Sequence, residues 1–250
     1  MPIRNILVFG ATSAIAQEAL RVLVQRGASA YCVGRSPDRL SAVIADLRVR
    51  AGPGQTVDGQ AADLLDTDRH PALFTAARAA LGDLDAVLIA HGTLPDQAQC
   101  ETSVERTLAA IAENGTSAVS LLTIAGNELS ARGSGVIAAI SSVAGDRGRQ
   151  SNYVYGASKS LVTTFMQGLR NRLAHRGVQV VTIKPGFIDT PMTAALPKSG
   201  PLWTTAARAG RAVADAMEKG RDVAYVPGYW FWIMTILRHV PERIFKRLKL

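Results

Sequence analysis

The chain has 250 residues, 48% of them hydrophobic, and a formal net charge of +8. That length suits one large α/β core, and the apolar fraction excludes a disordered chain. Two cysteines, Cys32 and Cys100, lack metal-ligand spacing, so no metal site is expected and a reduced cytosolic setting is.

The opening M-P-I-R-N-I-L-V-F-G runs directly into an apolar stretch, so no signal or transit segment is expected. Ile3 to Phe9 is short and almost continuously apolar, as in a strand buried on both faces of a parallel sheet. Gly10-Ala-Thr-Ser-Ala-Ile-Ala16 follows, then a helical pattern to about Arg26. Strand, tight turn and helix in that order aim backbone N–H groups and a helix N-terminus at a pyrophosphate. Only Gly10 is a glycine, so the turn is read from its context rather than its spelling.

Ala30 to Val33 is the second strand and ends in Gly34-Arg35-Ser36, where an acidic residue would bind a ribose 2′-hydroxyl. None is present. Arg35, with Arg39 a turn later, can pair with a 2′-phosphate; the alternative is two solvated arginines. A helix (about 36–50), a strand (about 55–60) and a helix (about 67–80) continue the alternation. Asp63, past the third strand, can accept a bond from an adenine amino group or can be a plain turn residue. Asp85 to Ala90 is the fourth strand, followed by His91-Gly92-Thr93. His91 has no partner at triad spacing and reads as structural rather than catalytic. Asn114 lies inside a long helical region, 101–131, with Gly115 allowing a local kink.

Val136 to Ser141 is the fifth strand, and Ser142 sits at its end. Thirteen residues on come Tyr155 and then Lys159, which at i and i+4 share one helix face and can address a common point. A nearby ammonium favours the phenolate and would bring the phenol towards acid/base work at neutral pH. Tyr153 is on a different face from Lys159. The helix continues to about Ala174, and Val178 to Ile183 is the sixth strand. Pro185-Gly186-Phe-Ile-Asp-Thr190 turns off its end, and Thr190 to Pro201 reads as a short lid. A helix (203–219) and a strand (222–226) close a single domain, 1–227, with no internal repeat or linker.

The remaining segment, 228–250, is of another character. Gly228 to Leu237 is almost wholly apolar and carries Trp230 and Trp232; Arg238, Arg243, Lys246, Arg247 and Lys249 follow, opposed only by Glu242. About 20 apolar residues are needed to span a bilayer, and this run is too short. Tryptophan-rich surface beside cations is the pattern of an anchor lying on an anionic membrane; the alternative is a helix in a homodimer or homotetramer interface. The net charge of +8 suits anionic partners in general, a phosphorylated cofactor or an acidic membrane, while missing zinc spacing and aromatic–basic interleaving set nucleic acid aside.

Taken together, Gly10, the set Asn114, Ser142, Tyr155 and Lys159, and the P-G-x-x-x-T segment resemble the short-chain dehydrogenase/reductase family over about residues 3–226. The resemblance implies a doubly wound Rossmann domain with a seven-stranded parallel sheet and a nicotinamide cofactor. It makes Tyr155 the proton donor or acceptor, Lys159 the ribose ligand and pKa modifier, and Ser142 the group orienting the substrate oxygen. Asn114 would support a water in a proton relay. It also implies cofactor contacts from Gly10, Thr12, Ser13, Ala14 and Ile15, from Arg35 and Arg39, and from Asp63 and Leu64. Ala90, Gly92, Pro185, Gly186, Ile188 and Thr190 would complete them. Two departures stand out: the family's second and third glycines are Ala14 and Ala16, whose methyl groups would narrow the cofactor groove, and its N-N-A-G segment is A-H-G. A narrower likeness, carried by loops and tail, is to decaprenylphosphoryl-2-keto-ribose reductases.

These readings lead to an NADPH-dependent reductase, preferring NADP(H) to NAD(H), that acts on a ketone, lipid-linked or otherwise amphiphilic. It would be cytoplasmic and peripheral on the inner face of the membrane. Two alternatives remain open: a soluble 3-oxoacyl or general ketone reductase, and a non-catalytic NADP sensor.

Overall fold

Seven strands, the central ones rich in β-branched and small apolar residues, form one parallel sheet in the computed structural model, which describes residues 2–198 and 200–248. Lys249, counted above among the basic residues, lies outside them. In chain order the elements begin β1 (Asn5–Phe9), α1 (Ala14–Gln25), β2 (Ser29–Gly34), α2 (Pro37–Arg50), β3 (Val57–Ala61), α3 (His70–Leu81) and β4 (Ala86–Ile89). Then come α4 (Gln97–Thr102), α5 (Val104–Ile111), α6 (Ser117–Arg132), β5 (Gly135–Ile140), α7 (Tyr153–Leu173) and β6 (Val178–Pro185). β7 (Phe187–Asp189), β8 (Trp203–Thr205), α8 (Ala206–Glu218), β9 (Val223–Val226), α9 (Trp230–His239) and α10 (Glu242–Phe245) complete the chain.

The strand order is β3-β2-β1-β4-β5-β6-β9. Side chains alternate across each strand, so one face of the sheet takes Ile6, Val8, Cys32, Leu88 and Ala138 against α1, α2 and α8. The other takes Leu7, Phe9, Val33, Ile89 and Ile137 against α3, α6 and α7. Burial on both faces is why the strands read as unbroken apolar runs. The order reverses between β1 and β4, and a parallel sheet of this kind leaves a crevice there at the strands' C-terminal ends.

Four departures from the sequence reading have local causes. The region 101–131 is not one helix: Ser103 ends α4 and caps α5 by accepting from the Arg106 N–H, and a π-turn, Ala112–Thr116, separates α5 from α6. By length and composition Val104–Arg132 could cross a membrane, but Leu121, Leu122, Ala125 and Leu129 are buried in the core. The helix expected from 203 starts at Ala206, because Trp203–Thr205 pairs with β7 as a two-stranded parallel ribbon and Thr205 caps α8. Ala16 is fully buried among core residues, so its methyl narrows no groove; Ala14 alone of the two lines the crevice.

The fourth concerns 228–250, which is bound to the domain rather than trailing from it. Trp230 and Met234 are buried against Val143, with Phe187 and Tyr225 packed around them. Arg147, in the β5–α7 loop, donates to the carbonyls of Leu237 (2.7 Å), Arg238 (3.1 Å) and Val240 (2.6 Å), pairs with Glu242 (3.0 Å) and lies over the Phe245 ring. Three of its acceptors are carbonyls at the C-terminal end of α9, where a cation is favoured.

Candidate active site

The crevice is a cavity of about 580 Å³ that runs across the strand ends from Arg35 and Asp63 to Tyr155 and Thr190. Every residue expected to touch a cofactor lines it: Gly10, Thr12, Ser13, Ala14, Ile15, Arg35, Arg39, Asp63, Leu64, Ala90, Gly92, Tyr155, Lys159, Pro185, Gly186, Ile188 and Thr190. Ser142 lines it too. Asn114 does not; it is buried behind Gly92.

At one end, the first turn of α1 opens on the cavity, and Ser13 at its cap makes no side-chain bond. The turn's backbone donors are thus left for an anion, as a pyrophosphate site requires. Arg35 is well exposed, 3.6 Å from Glu113 Oε1, and Arg39 Nη2 donates to the Thr12 carbonyl at 3.4 Å. Both are long contacts that a 2′-phosphate can displace. Asp63 accepts from the N–H of Leu65 (3.0 Å), a turn role that leaves its second oxygen for another donor. Donor turn, cationic pair and cavity together fit a dinucleotide.

At the other end, β5 delivers Ser142 and the first turns of α7 deliver Tyr155 and Lys159. Two bonds hold that helix to the strand end: Ser141 Oγ donates to the Lys159 carbonyl (2.9 Å) and meets Thr163 Oγ1 at 2.7 Å. Lys159 Nζ donates to the Ile140 carbonyl at 3.2 Å and stands 5.7 Å from the Tyr155 ring centre. Burial pulls the Lys159 ammonium down to about 8. Burial also pushes the Tyr155 phenol up to about 12, with the Ser142 hydroxyl pulling the other way. The sequence had suggested a phenol brought towards neutrality by Lys159. Desolvation outweighs the Ser142 hydrogen bond here, so the resting phenol keeps its proton, as a donor to a carbonyl oxygen must. Tyr153 is exposed and takes no part.

Asn114 is set by the π-turn, a bulge of the kind that often marks functional positions. Its Nδ2 donates to the Ala110 carbonyl (3.1 Å) and its Oδ1 accepts from the Thr93 N–H (2.9 Å). Gly92 lies between this amide and Lys159, with φ of +145°; a Cβ there would stand 2.6 Å from Asn114 Oδ1 and 3.3 Å from Lys159 Nζ. His91 meets Ser117 Oγ through Nε2 at 2.7 Å, and burial, helped by the charge on Lys159, pushes its imidazole down to about 3. A neutral His held this way is consistent with the structural role read from the sequence, although His91 lines the cavity and its Nδ1 is buried without a partner among the described residues.

Sequence reasoning assigned no role to four parts of this wall. Leu94 and Phe187 make its apolar side, and Arg149 and Asn152, from the β5–α7 loop, add polar groups. The signal was in the stretch D-R-G-R-Q-S-N, whose proximity to Tyr155 places it at the mouth. Behind Phe187 stands α9: Trp230 meets that ring edge-on at 5.3 Å, and Trp203 stacks on it at the same distance.

A family model described as short chain dehydrogenase matches residues 4–200. This chain belongs to the short-chain dehydrogenase/reductase family. It is 32% identical over 249 residues to an uncharacterized oxidoreductase encoded in the mprA 5′ region of Streptomyces coelicolor, covering 99% of this chain and 96% of the relative. Among solved structures, a short-chain type dehydrogenase/reductase from Mycobacterium ulcerans superposes with a TM-score of 0.81 at 23% identity, covering 98% of each chain. An actinorhodin polyketide ketoreductase variant crystallised with NADPH gives 0.80 at 23%, covering 91% of this chain and 97% of that one. The two structures share the fold. The chain is therefore an oxidoreductase of a family that uses nicotinamide cofactors and acts between alcohols and carbonyls.

Proposed function

We propose that this short-chain dehydrogenase/reductase is an NADPH-dependent reductase of an amphiphilic or lipid-linked ketone, of which a polyprenyl-phosphoryl ketosugar is the form suggested by its loops and C-terminal segment. One observation carries the reading: Ser142, Tyr155 and Lys159 converge at one end of a cavity whose opposite end holds Arg35 and Arg39 without a carboxylate on β2. The bound cofactor supplies hydride to the carbonyl carbon. Ser142 holds the substrate oxygen, and Tyr155, protonated at rest, gives its proton to that oxygen as charge develops there. Lys159 stabilises the phenolate so formed and binds the ribose, and Asn114, one residue layer behind, fixes the Thr93 backbone and completes the path for reprotonation. Leu94, Phe187, Met192 and Leu196 give the substrate end an apolar wall. The NADPH held by the ketoreductase of the same fold supports the cofactor class.

NADPH oxidation against a panel of ketones, with and without anionic vesicles, tests this reading. Tyr155→Phe removes the proton donor alone and is expected to lower kcat by about 10²- to 10⁴-fold with NADPH affinity nearly unchanged. A Tyr155→Phe enzyme that kept wild-type rates on its best ketone would overturn the mechanism. A wild-type protein that bound NADPH but turned over no ketone would favour a sensor.

A further inference from the structure

Among the described residues Arg149 is the one guanidinium at the substrate end of the cavity, and its side chain has no ion-pair or hydrogen-bond partner. Its Nε is sealed from solvent with nothing to donate to. The other arginine of the loop, Arg147, is fully engaged with the end of α9 and with Glu242, so the contrast is between a structural cation and an unused one. Beside Arg149 on the same wall, Asn152 has its side-chain oxygen buried without a donor. Ordinary folds seldom leave such groups unmatched, because a buried donor without an acceptor is destabilising, and more so when charged. Burial lowers the guanidinium's pKa, and no neighbouring carboxylate acts against it. Both residues line the catalytic cavity beside Tyr155, and the guanidinium's Nη groups, unlike the sealed Nε, are accessible and without a partner among the described residues, so they can meet an anion that enters the cavity.

We infer that the ketone substrate carries an anionic group, phosphate or carboxylate, which binds Arg149 inside the catalytic cavity. The inference rests on the ketone-reductase reading and narrows its substrate class. The turn that fits the cofactor's phosphates follows β1 and Arg35 follows β2, whereas Arg149 stands in the β5–α7 loop with β4 between, so the phosphates are assigned to the other end of the cavity. A guanidinium suits a planar carboxylate or a phosphate bidentately, and a lipid phosphodiester offers the same two oxygens as a free sugar phosphate.

Three probes separate these cases: dihydroxyacetone, its phosphate, and the decyl phosphodiester of that phosphate. Each is titrated by calorimetry into the wild-type, Arg149→Met and Arg149→Lys proteins loaded with NADP+, which carries no hydride to transfer, and turnover with NADPH is followed separately. The wild type is expected to bind the two charged probes at least 10-fold more tightly than dihydroxyacetone. Arg149→Met should collapse that ratio to near one, by about 10- to 100-fold. Arg149→Lys should restore part of it, and the NADPH affinity of all three proteins should agree within about twofold. A decyl probe bound more tightly than the free phosphate places the anion on a lipid; equal binding places it on a soluble metabolite, and both support the inference. Equal binding of charged and neutral probes by the wild type, or a charge preference untouched by Arg149→Met, overturns it. Arg149-dependent binding with no turnover of these probes or of any ketone in the wider panel would leave the anion subsite standing and remove the ketone-reductase reading instead.

Discussion

Lys159 holds its charge at a cost that can be measured. It is 4% exposed, and burial draws its pKa from the ordinary 10.5 to about 8. Between those values the unfolded chain binds the extra proton and the folded protein does not, so stability rises with pH from about 8 to 10.5. Below pH 8 both states are charged, and the folded state bears the whole desolvation cost, on the order of 3 kcal/mol. Lys159→Met is therefore expected to abolish turnover yet raise Tm at pH 7 by several degrees, the gain over wild type disappearing by about pH 10.5; scanning calorimetry at the two pH values checks it. An unchanged Tm at pH 7 would mean that the Ile140 carbonyl already compensates the buried ammonium. The same titration shapes the activity profile: kcat/KM for ketone reduction should fall above about pH 8 as Lys159 loses its charge, while alcohol oxidation, rising below that pH, should level off there, because the two directions differ by one proton. At the far end of the cavity, Arg35 is 69% exposed in its side chain, so its pairing with Glu113 contributes less than about 1 kcal/mol. A 2′-phosphate bond of about 1.5–3 kcal/mol outweighs it, giving an NADPH preference over NADH of roughly one to two decades. Arg35→Asp should reverse that preference in a binding titration, and equal affinities in the unmodified protein would show that Arg35 serves Glu113 alone.

Each catalytic side chain depends on the element that presents it, and the elements differ in how far they could be read from residues. The strands were legible because burial on both faces writes a continuous apolar run, and Tyr155 with Lys159 was legible because a four-residue spacing on a helix admits one geometry. The π-turn was only half visible: Asn114-Gly115 inside a helical pattern announced an irregularity, but nothing local shows that the amide would face the Thr93 backbone. β8 was read as helix because three residues carry no periodicity; its identity comes from pairing with β7, a contact formed across the lid. Arg149 was unread for a similar reason, since whether a loop cation finds a carboxylate is decided by the whole fold. The register of β4, the π-turn and α7 meets at Gly92, and a single methyl tests it. In Gly92→Ala the new Cβ would press on Asn114 Oδ1 at 2.6 Å, from a φ that L-residues rarely adopt. The expected result is a loss of about 1–3 kcal/mol in stability and a drop in kcat with little change in the affinity for the adenosine half of the cofactor. Wild-type kcat in this variant would show that Asn114 can move without consequence.

At the scale of the whole molecule, α9 and α10 have two faces with different duties. The inner face is part of the active-site wall, since Trp230 backs Phe187 and lies so close to Gly186 that a Cβ there would fall 1.9 Å from the indole nitrogen. Removal of 228–250 would therefore strip the support from Val143, Phe187 and Gly186; contrary to the sequence-based view of a domain finished by 227, the truncated protein is expected to lose stability and cofactor affinity together. The outer face is the proper target. Phe231, Trp232, Ile236, Ile244 and Leu248 are exposed on it, among the exposed cations Arg238, Arg243, Lys246 and Arg247. Glu242, the segment's one acidic residue, is turned towards Arg147. At about 1 kcal/mol for each cation near an anionic leaflet, the four contribute about 4 kcal/mol, or about a thousandfold in partitioning, before any apolar insertion. A subunit interface would gain nothing from gathering those cations around its rim. The intact protein is thus expected to co-sediment with vesicles containing phosphatidylserine, to be released as salt shortens the Debye length, and to lose binding in the double variant Trp232→Ser, Ile236→Ser while still binding NADPH. If the intact protein ignored those vesicles and the same double variant turned an oligomer into monomers, the outer face would be a subunit contact, and the substrate would have no physical reason to arrive from a membrane.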